Sequence, residues 1–396
     1  MSARISIVLA SALALPAATA LAQTKPPVAQ FWMDVATSSM SIPGMEGMEG
    51  MESGGGMFGG FFGGTKMGGA APGQWLDTAL YTRNKPNGTE GTHAIPPTMS
   101  MGSSLPLLPV VAAGRSGDGG EGGAEKPKGK LIFYWGCGDR VRPGQPREVD
   151  FSKSSPEEWM RFMTGRFAPD RGAKAVPGRS VWPNERDRQR VPNGASLEGD
   201  HAVSGNGVPA GLRFSLREVY DFMPRIKMTT AGDPKASVNV SWQSINVAQG
   251  YFLSAMGARG EHEMIIWSSS EQPDPGWGLM DYLAPAQVKN LIGEKVVLPP
   301  NVQSCAIPAG IFGNVEGAMV RMIAFGPELN VAHPPRPANP KAPWDPEWAV
   351  RVRVKSTGMT ILGMDEQEGG RSGRGQGAAQ QESPGLGGAL RGLFGR

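Results

Sequence analysis

The 396-residue sequence has only two Cys, four His and five Tyr. It lacks the HExxH, GxSxG and CxxC motifs, and no phosphate-binding glycine loop stands between a strand and a helix. After the first 22 residues, no run of about 18 apolar residues occurs, so no transmembrane helix is expected in the mature chain. These absences argue against a polytopic membrane protein and leave no assembled catalytic motif.

Glycine and proline, in contrast, are abundant, with 57 and 35 residues. Both disfavour the interior of helices, so a mostly helical protein is excluded. Glycine is concentrated in an insert at residues 44–73, in a break at 114–129 and in the C-terminal tail. We expect these segments to be long flexible loops, because dense glycine leaves too much backbone freedom to order unaided.

The N-terminus is typical of a secretory signal peptide over residues 1–22. Arg4 supplies the positive charge, residues 5–15 are apolar, and Ala20-Leu21-Ala22 forms a cleavage signal. The mature protein is therefore expected in the periplasm or outside the cell. In such a compartment, the only two cysteines, Cys137 and Cys305, are candidates for a disulfide.

The charge of the mature chain is nearly balanced, since removal of Arg4 leaves 38 basic and 36 acidic residues. This balance argues against nucleic acid as a partner. Arginines nevertheless concentrate between residues 161 and 190. This segment is either a solvated loop or a patch that binds an anionic polymer or lipid headgroup. The arginines of the segment are Arg161, Arg166, Arg171, Arg179, Arg186, Arg188 and Arg190.

Short segments with alternating apolar residues predict a mainly β fold with two β-sandwich-like domains and short helices. The first domain is expected over residues 23–230 and the second over 236–357, followed by a disordered tail at 358–396. Short helices are expected at 155–163 and 285–292. Val350, Val352 and Val354 alternate with Arg351, Arg353 and Lys355, which is the cleanest pattern of a strand with two different faces.

Part of the second domain resembles a fibronectin type III-like or immunoglobulin-like sandwich. The resemblance rests on Val240-Ser241-Trp242, on Tyr251 and on Val320-Arg321-Met322 in a late strand. Ala318 stands where the family usually has a Tyr. The resemblance implies an adhesive or scaffolding module and carries over no catalytic residue.

A second resemblance covers the segment Phe133-Tyr134-Trp135-Gly136-Cys137-Gly138 with Gly144-Gln145-Pro146. It looks like a family of uncharacterised secreted bacterial proteins, and that family offers no activity to carry over.

The glycine insert contains a Gly-Met-Glu triplet repeat. Thioether sulfur suits Cu(I) in an oxidising compartment, so Met45, Met48, Met51 and Met57 are candidate copper ligands. The alternative is that these methionines make adaptable apolar contacts within a loop and that the protein has no cofactor.

Two segments resemble each other around a histidine. Pro86-Asn87-Gly88 is followed by His93, and Pro192-Asn193-Gly194 is followed by His201. Either both loops present Glu and His to one metal, or similar turns simply open similar strands.

The sequence therefore favours an exported, non-catalytic cell-envelope protein that binds an envelope protein or polysaccharide, or acts as a scaffold. One alternative is a periplasmic Cu(I)-binding protein that uses the methionine repeat. Another is an envelope-acting enzyme with Cys137 as nucleophile and His201 or His262 as base. Residues 386–396 could add weak contact with a membrane surface.

Overall fold

A computed structural model describes residues 25–41, 72–111 and 129–362, apart from residues 261, 316 and 340. The predicted signal peptide, nearly all of the glycine insert, residues 112–128 and the chain after Leu362 lie outside the described residues.

The described chain forms sixteen strands and two α-helices. The strands are β1 Ala29–Ser41, β2 Gly73–Thr82, β3 Gly91–Ala94, β4 Ser104–Pro109, β5 Lys130–Trp135, β6 Arg147–Asp150, β7 Ser180–Trp182, β8 Gly199–Gly205, β9 Arg213–Leu216, β10 Met228–Gly232, β11 Val238–Trp242, β12 Gly250–Arg259, β13 Glu263–Ser268, β14 Ser304–Ile307, β15 Ala318–His333 and β16 Trp348–Leu362. The helices are α1 Pro156–Met163 and α2 Pro285–Gly293. The prediction of a mainly β fold is confirmed.

Thirteen of these strands form one sheet, and the other three form a second sheet. The order in the large sheet is β6-β5-β13-β12-β15-β16-β1-β2-β7-β4-β3-β8-β9, and the small sheet is β10-β11-β14. β1 and β2 pair as an antiparallel hairpin with Ser38 opposite Gly73. The glycine insert therefore joins two strands of one sheet, as its position between two strand patterns predicts.

The eight neighbouring strands of the large sheet from its edge strand β6 to β2 form two blocks with the same connectivity. In one block β1 pairs in parallel with β16, and in the other β5 pairs in parallel with β13. Each parallel pair is flanked by antiparallel hairpin partners, β2 and β15 in one block and β6 and β12 in the other. β12 and β15 join the blocks in antiparallel register.

This pairing corrects the predicted domain boundary. β1 and β5 come from the predicted first domain, and their parallel partners β16 and β13 come from the second. The boundary near residues 230–236 therefore does not separate two sheets. Alternating residues reveal the two faces of a strand, but they do not reveal which distant strand pairs with it.

The predicted start of the tail at residue 358 is also too early. β16 continues to Leu362, with Met359 opposite Met40 of β1 and Arg321 of β15. Pairing on both sides supplies the hydrogen bonds that this stretch would otherwise lack. The remainder of the predicted tail lies outside the described residues.

The two faces of the large sheet bury different groups. The inner face carries Phe31, Met33 and Val35 of β1 into the main core, which also receives Val240 and Trp242 of the small sheet. The outer face carries three successive zones. An apolar cluster lies around Phe133 and another around Phe252, and buried charges follow on β15, β16 and β1.

Both predicted helices are present. α1 begins at a capping box, in which the Ser155 hydroxyl accepts a bond from the Glu158 amide and the Glu158 carboxylate accepts one from the Ser155 amide. α2 begins where Ala284 N–H donates to the side-chain oxygen of Gln287 at 3.1 Å. Neither helix, nor any other in the described part of the chain, has the length and apolar character to cross a membrane.

Cys137 and Cys305 form a disulfide, with their Cα atoms 5.2 Å apart. Cys137 follows β5 of the large sheet, and Cys305 lies in β14 of the small sheet. The bond therefore ties the two sheets together.

Candidate functional site

The outer face of β1 and β16 holds a buried ion pair. Asp34 and Arg353 stand opposite each other in the parallel register. Arg353 donates from Nε to Asp34 Oδ1 at 2.7 Å and from Nη2 to Oδ2 at 2.6 Å. Both side chains are almost fully buried. This fork-to-fork geometry is the strongest form of a carboxylate–guanidinium contact.

The chain segment at Gly172–Ala173 covers this ion pair. Ala173 N–H donates to Asp34 Oδ2 at 3.0 Å. A Cβ atom added to Gly172 would lie 1.6 Å from Arg353 Nη2 and 2.2 Å from Asp34 Oδ2. Glycine is therefore needed here for close approach to the pair, and the pair fixes the path of the covering segment.

Lys355 lies beside the ion pair with no exposed surface. Its Nζ donates to Met280 O at 3.3 Å and lies 4.0 Å from Asp281 Oδ1. Both Lys355 Nζ and Arg353 Cζ lie 4.4 Å from the ring centroid of Tyr282. Burial lowers the pKa of Lys355 to about 7, against the opposing attraction of Asp281.

Arg321 of β15 completes this group of buried charges. Its Nη1 lies 3.7 Å from Met280 Sδ, and burial lowers its pKa to about 10. Burial acts in the same direction on Arg353, but its bonds to Asp34 raise the Arg353 pKa above the ordinary value. We call Asp34, Tyr282, Arg321, Arg353 and Lys355 the charged cluster.

The charged cluster is closed to substrate in this conformation, because Lys355 and Asp34 have no solvent exposure. The charged cluster holds neighbouring parts of the structure together. It connects β1, β15 and β16 to two covering segments, one at 172–173 and one at 280–282. A lysine with a pKa near neutrality is a common sign of an active site, yet buried structural networks produce the same shift.

A second buried polar group lies on the inner side of the same sheet. His93 of β3 and His201 of β8 approach to 3.0 Å between Nε2 and Nδ1. His201 Nε2 lies 2.8 Å from Leu197 O. Phe31 packs edge-on against His93, and Phe214 stacks on His201 with ring centroids 5.0 Å apart. We call His93 and His201 the histidine pair.

The histidine pair is the structural outcome of the two similar sequence segments. β3 and β8 pair in antiparallel register, so the similar turns do open similar, neighbouring strands. The geometry does not support the metal interpretation, because the two rings bond directly to each other while Glu90 pairs with Arg186 at the surface. Within the described residues, no group of three or more His, Cys, Asp or Glu is arranged to hold a metal.

The arginines predicted as an anionic-ligand patch are mostly engaged within the protein. Their partners are Asp274 and Glu294 for Arg166, Glu328 for Arg171, Trp32 for Arg179, Glu90 for Arg186 and Trp75 for Arg190. Arg161 and Arg188 are exposed. The segment therefore does not present seven free cations, because most of its charge is neutralised or stacked by groups that are distant in the sequence.

The same region exposes apolar side chains. Five large hydrophobic residues are exposed among those described, and three lie within residues 160–176. Met160 is 62% exposed and Phe167 is 68% exposed. The backbone next to Phe167 is held in place, since Arg166 N–H donates to the buried carboxylate of Asp274 at 3.0 Å.

An open groove of about 330 Å³ lies along α2. It is lined by Gln249, Pro285, Val288, Lys289 and Ile292. The salt bridge from Arg166 to Glu294, directly after α2, links this helix to the segment that carries Phe167.

The catalytic alternative loses its nucleophile. The sulfur of Cys137 is bonded to Cys305, so it is not a thiolate. The copper candidates Met45, Met48, Met51 and Met57 lie outside the described residues, and the copper hypothesis stays a prediction.

Comparison with known proteins finds no protein-family model, curated protein or solved structure that matches this chain. The fibronectin type III resemblance therefore stays a prediction. The residues that carry it are divided between the two sheets, with Trp242 in β11 and Tyr251 in β12, where their rings make an edge contact.

Sequence reasoning missed the charged cluster. The alternating pattern of β16 indicates a polar face, but Arg353 and Lys355 are only 3% and 0% exposed. One available signal is Asp34, an isolated carboxylate between Met33 and Val35 in an otherwise apolar stretch. A buried carboxylate needs a partner, although the sequence does not indicate which cation supplies it.

Proposed function

We propose that this protein is exported to the cell envelope and acts there by binding another envelope protein, without chemistry of its own. The contact surface is the segment of residues 156–176, with Met160, Arg161 and Phe167 at its centre. The observation that carries the proposal is the exposure of Met160 and Phe167 on a segment whose backbone is anchored to buried acids.

The composition of this surface supports a protein as the partner. Aromatic residues, Met and Arg are enriched at the centres of protein interfaces. An exposed Phe is costly in water and gains by being covered. Anchoring supports the proposal further, since a segment that is already ordered loses little conformational entropy on binding.

Two features support export. The first 22 residues read as a signal peptide, and the only two cysteines form a disulfide that links the two sheets. Disulfides persist in oxidising compartments outside the cytoplasm. With residues 1–22 deleted, we expect the protein to remain in the cytoplasm with both cysteines open to alkylation.

The binding surface can be tested by photocrosslinking in intact cells. A photoreactive phenylalanine analogue at position 167 is expected to give a discrete protein adduct. The matched control is the same analogue at Val111, which is 84% exposed elsewhere on the molecule. Adducts of equal yield at both positions, or none at position 167, would contradict the proposal. A smear removed by polysaccharide-degrading enzymes would instead identify a polysaccharide.

A substitution provides the second arm of this test. Replacing Met160 and Phe167 by Ser is expected to lower retention of the protein on washed envelopes at least tenfold, while the melting temperature stays unchanged. The Val111→Ser variant should be retained like the original protein. Equal retention of all three proteins would refute the role of this surface.

A further inference from the structure

The hydrogen bonds of the histidine pair define where its protons lie. Leu197 O can only accept, so His201 Nε2 must carry a proton and donate to it. In a neutral His201, Nδ1 is then the acceptor, and His93 Nε2 must donate to it. His93 Nδ1 is left as an unprotonated nitrogen, buried and without a hydrogen-bond partner among the described residues. When both rings are neutral, each therefore carries its proton on Nε2.

This arrangement has no place for an added proton. A proton on His201 Nδ1 would face the N–H of His93. If His93 changed tautomer to avoid that clash, its Nδ1–H would become a buried donor without an acceptor. A proton on His93 Nδ1 has the same defect and adds a charge in an apolar site. Burial lowers the pKa of both side chains, and His201 further lowers that of His93.

The surroundings of the pair offer little charge to offset a proton. Apolar residues pack or pair against it, among them Phe31 of β1, Leu105 of β4 and Phe214 of β9. The charged groups that act on His201 are Asp200 and Asp221. Asp200 is exposed and bonded to Ser215, and Asp221 is occupied by the amides of Leu197 and Phe222.

The end of the sheet that contains the pair has a narrow connection to the rest. β3, β4, β8 and β9 form a continuous ladder, which reaches β2 only through β7. β7 has three residues and pairs with β4 through two of them, Ser180 and Val181. Few ladder hydrogen bonds must therefore break for this end to separate from β1 and β2, so its attachment depends mainly on side-chain packing such as that of Phe31 against His93.

We propose that the histidine pair is an acid-sensitive latch, which on acidification releases β3, β4, β8 and β9 from Phe31 of β1. At neutral pH both rings are uncharged and the latch is closed. In the opened state each ring is solvated and binds a proton at its ordinary pKa, near 6.5. Acid therefore favours the opened state, which exposes the apolar inner face of these strands.

Hydrogen exchange measures this opening directly. After correction for the intrinsic pH dependence of exchange, the opening equilibrium of β3 and β8 amides should rise as pH falls below about 6.5. Two protons are taken up, so the rise approaches about 100-fold per pH unit. The amides of β12 and β13, far from the pair in the same sheet, should show no such rise.

Glutamine variants identify the trigger. In a His201→Gln variant the new side-chain amide can donate to Leu197 O and accept from His93, but it does not titrate. We expect the opening equilibrium of this variant to rise only about tenfold per pH unit, because only His93 is left to take up a proton. In a His93→Gln/His201→Gln double variant the opening equilibrium should no longer depend on pH. His262→Gln, a change at an exposed histidine, is the matched control and should keep the full slope.

A measurement on the unaltered protein keeps the proposal testable if a variant does not fold. Histidine ring resonances followed by NMR should show His93 and His201 titrating below the ordinary range, together with the loss of the closed state. Titration of both rings near pH 6.5 with β3 and β8 amides still protected would overturn the latch. So would an acid-induced slope that persists in the double glutamine variant.

Discussion

The charged cluster and the histidine pair lie against opposite faces of β1, and their buried polar side chains are stabilised in different ways. Asp34 of β1 points to the outer face and is neutralised by Arg353. Phe31, three residues earlier, faces the inner side and packs against the uncharged His93. Within the charged cluster Asp34 and Arg353 balance each other's charge, whereas the histidine pair depends on both rings remaining neutral.

This difference determines which change destabilises each group most. A charge pair in a low-dielectric site is stable only while both partners are present. A neutral hydrogen-bonded pair is stable only while no proton is added. The charged cluster should therefore respond most strongly to removal of a partner, and the histidine pair to acid.

The largest expected effect comes from replacing Arg353 by Met. This change leaves Asp34 buried without its partner, and a loss of about 3–5 kcal/mol in the free energy of unfolding is expected. Urea unfolding at neutral pH measures it. The control is Asp34→Leu with Arg353→Met, which removes both charges and should be clearly less destabilised than the single variant. If the single and double variants lose the same stability, the cluster does not depend on charge balance.

A smaller effect is expected from Gly172→Ala, which tests the covering segment rather than the charges. The added methyl group would collide with Arg353 Nη2 and Asp34 Oδ2. Overpacking of this kind costs about 1–3 kcal/mol. Gly293→Ala is the matched control, since nothing lies within 4 Å of its added methyl group. Equal unfolding midpoints for both variants would show that the segment moves aside without cost.

The most specific effect concerns pH, and it is the smallest of the three only when counted per pH unit. Burial lowers the pKa of Lys355 to about 7, below the ordinary value near 10.4. Between these values the unfolded chain binds the additional proton. The stability of the protein relative to a Lys355→Met variant should therefore rise with pH in this window, by up to about 1.4 kcal/mol per pH unit.

Below pH 7 the difference in the free energy of unfolding between the original protein and the Lys355→Met variant should be constant. Lys355 is then protonated in both the folded and the unfolded chain. The window of Lys355 is thus alkaline, whereas that of the histidine pair lies below about pH 6.5. A stability difference that changes between about pH 5 and 6.5 but not between about pH 7 and 10 would reverse the assignment of the two groups.

Local patterns predicted much of the secondary structure. The apolar run at Lys130–Trp135 and the alternation at Val238–Trp242 correspond to β5 and β11. The short helix expected at 155–163 is confirmed as α1, which begins after the capping residue Ser155. These features depend on neighbouring residues only, so they can be recognised without the tertiary fold. The strand β7 has only three residues, too few to show an alternating pattern, and it depends on pairing with β2 and β4.

The sequence by itself determined that the chain is mainly β, where its glycine-rich interruptions fall, and that two similar segments each carry a histidine. Only the tertiary structure decided that β1 pairs with β16 and β5 with β13, because strand pairing joins residues more than 100 positions apart. It also decided that Arg353 and Lys355 are buried and that His93 meets His201. The physical reason is that burial and charge partners belong to the packed sheet, whereas composition and alternation belong to each segment alone.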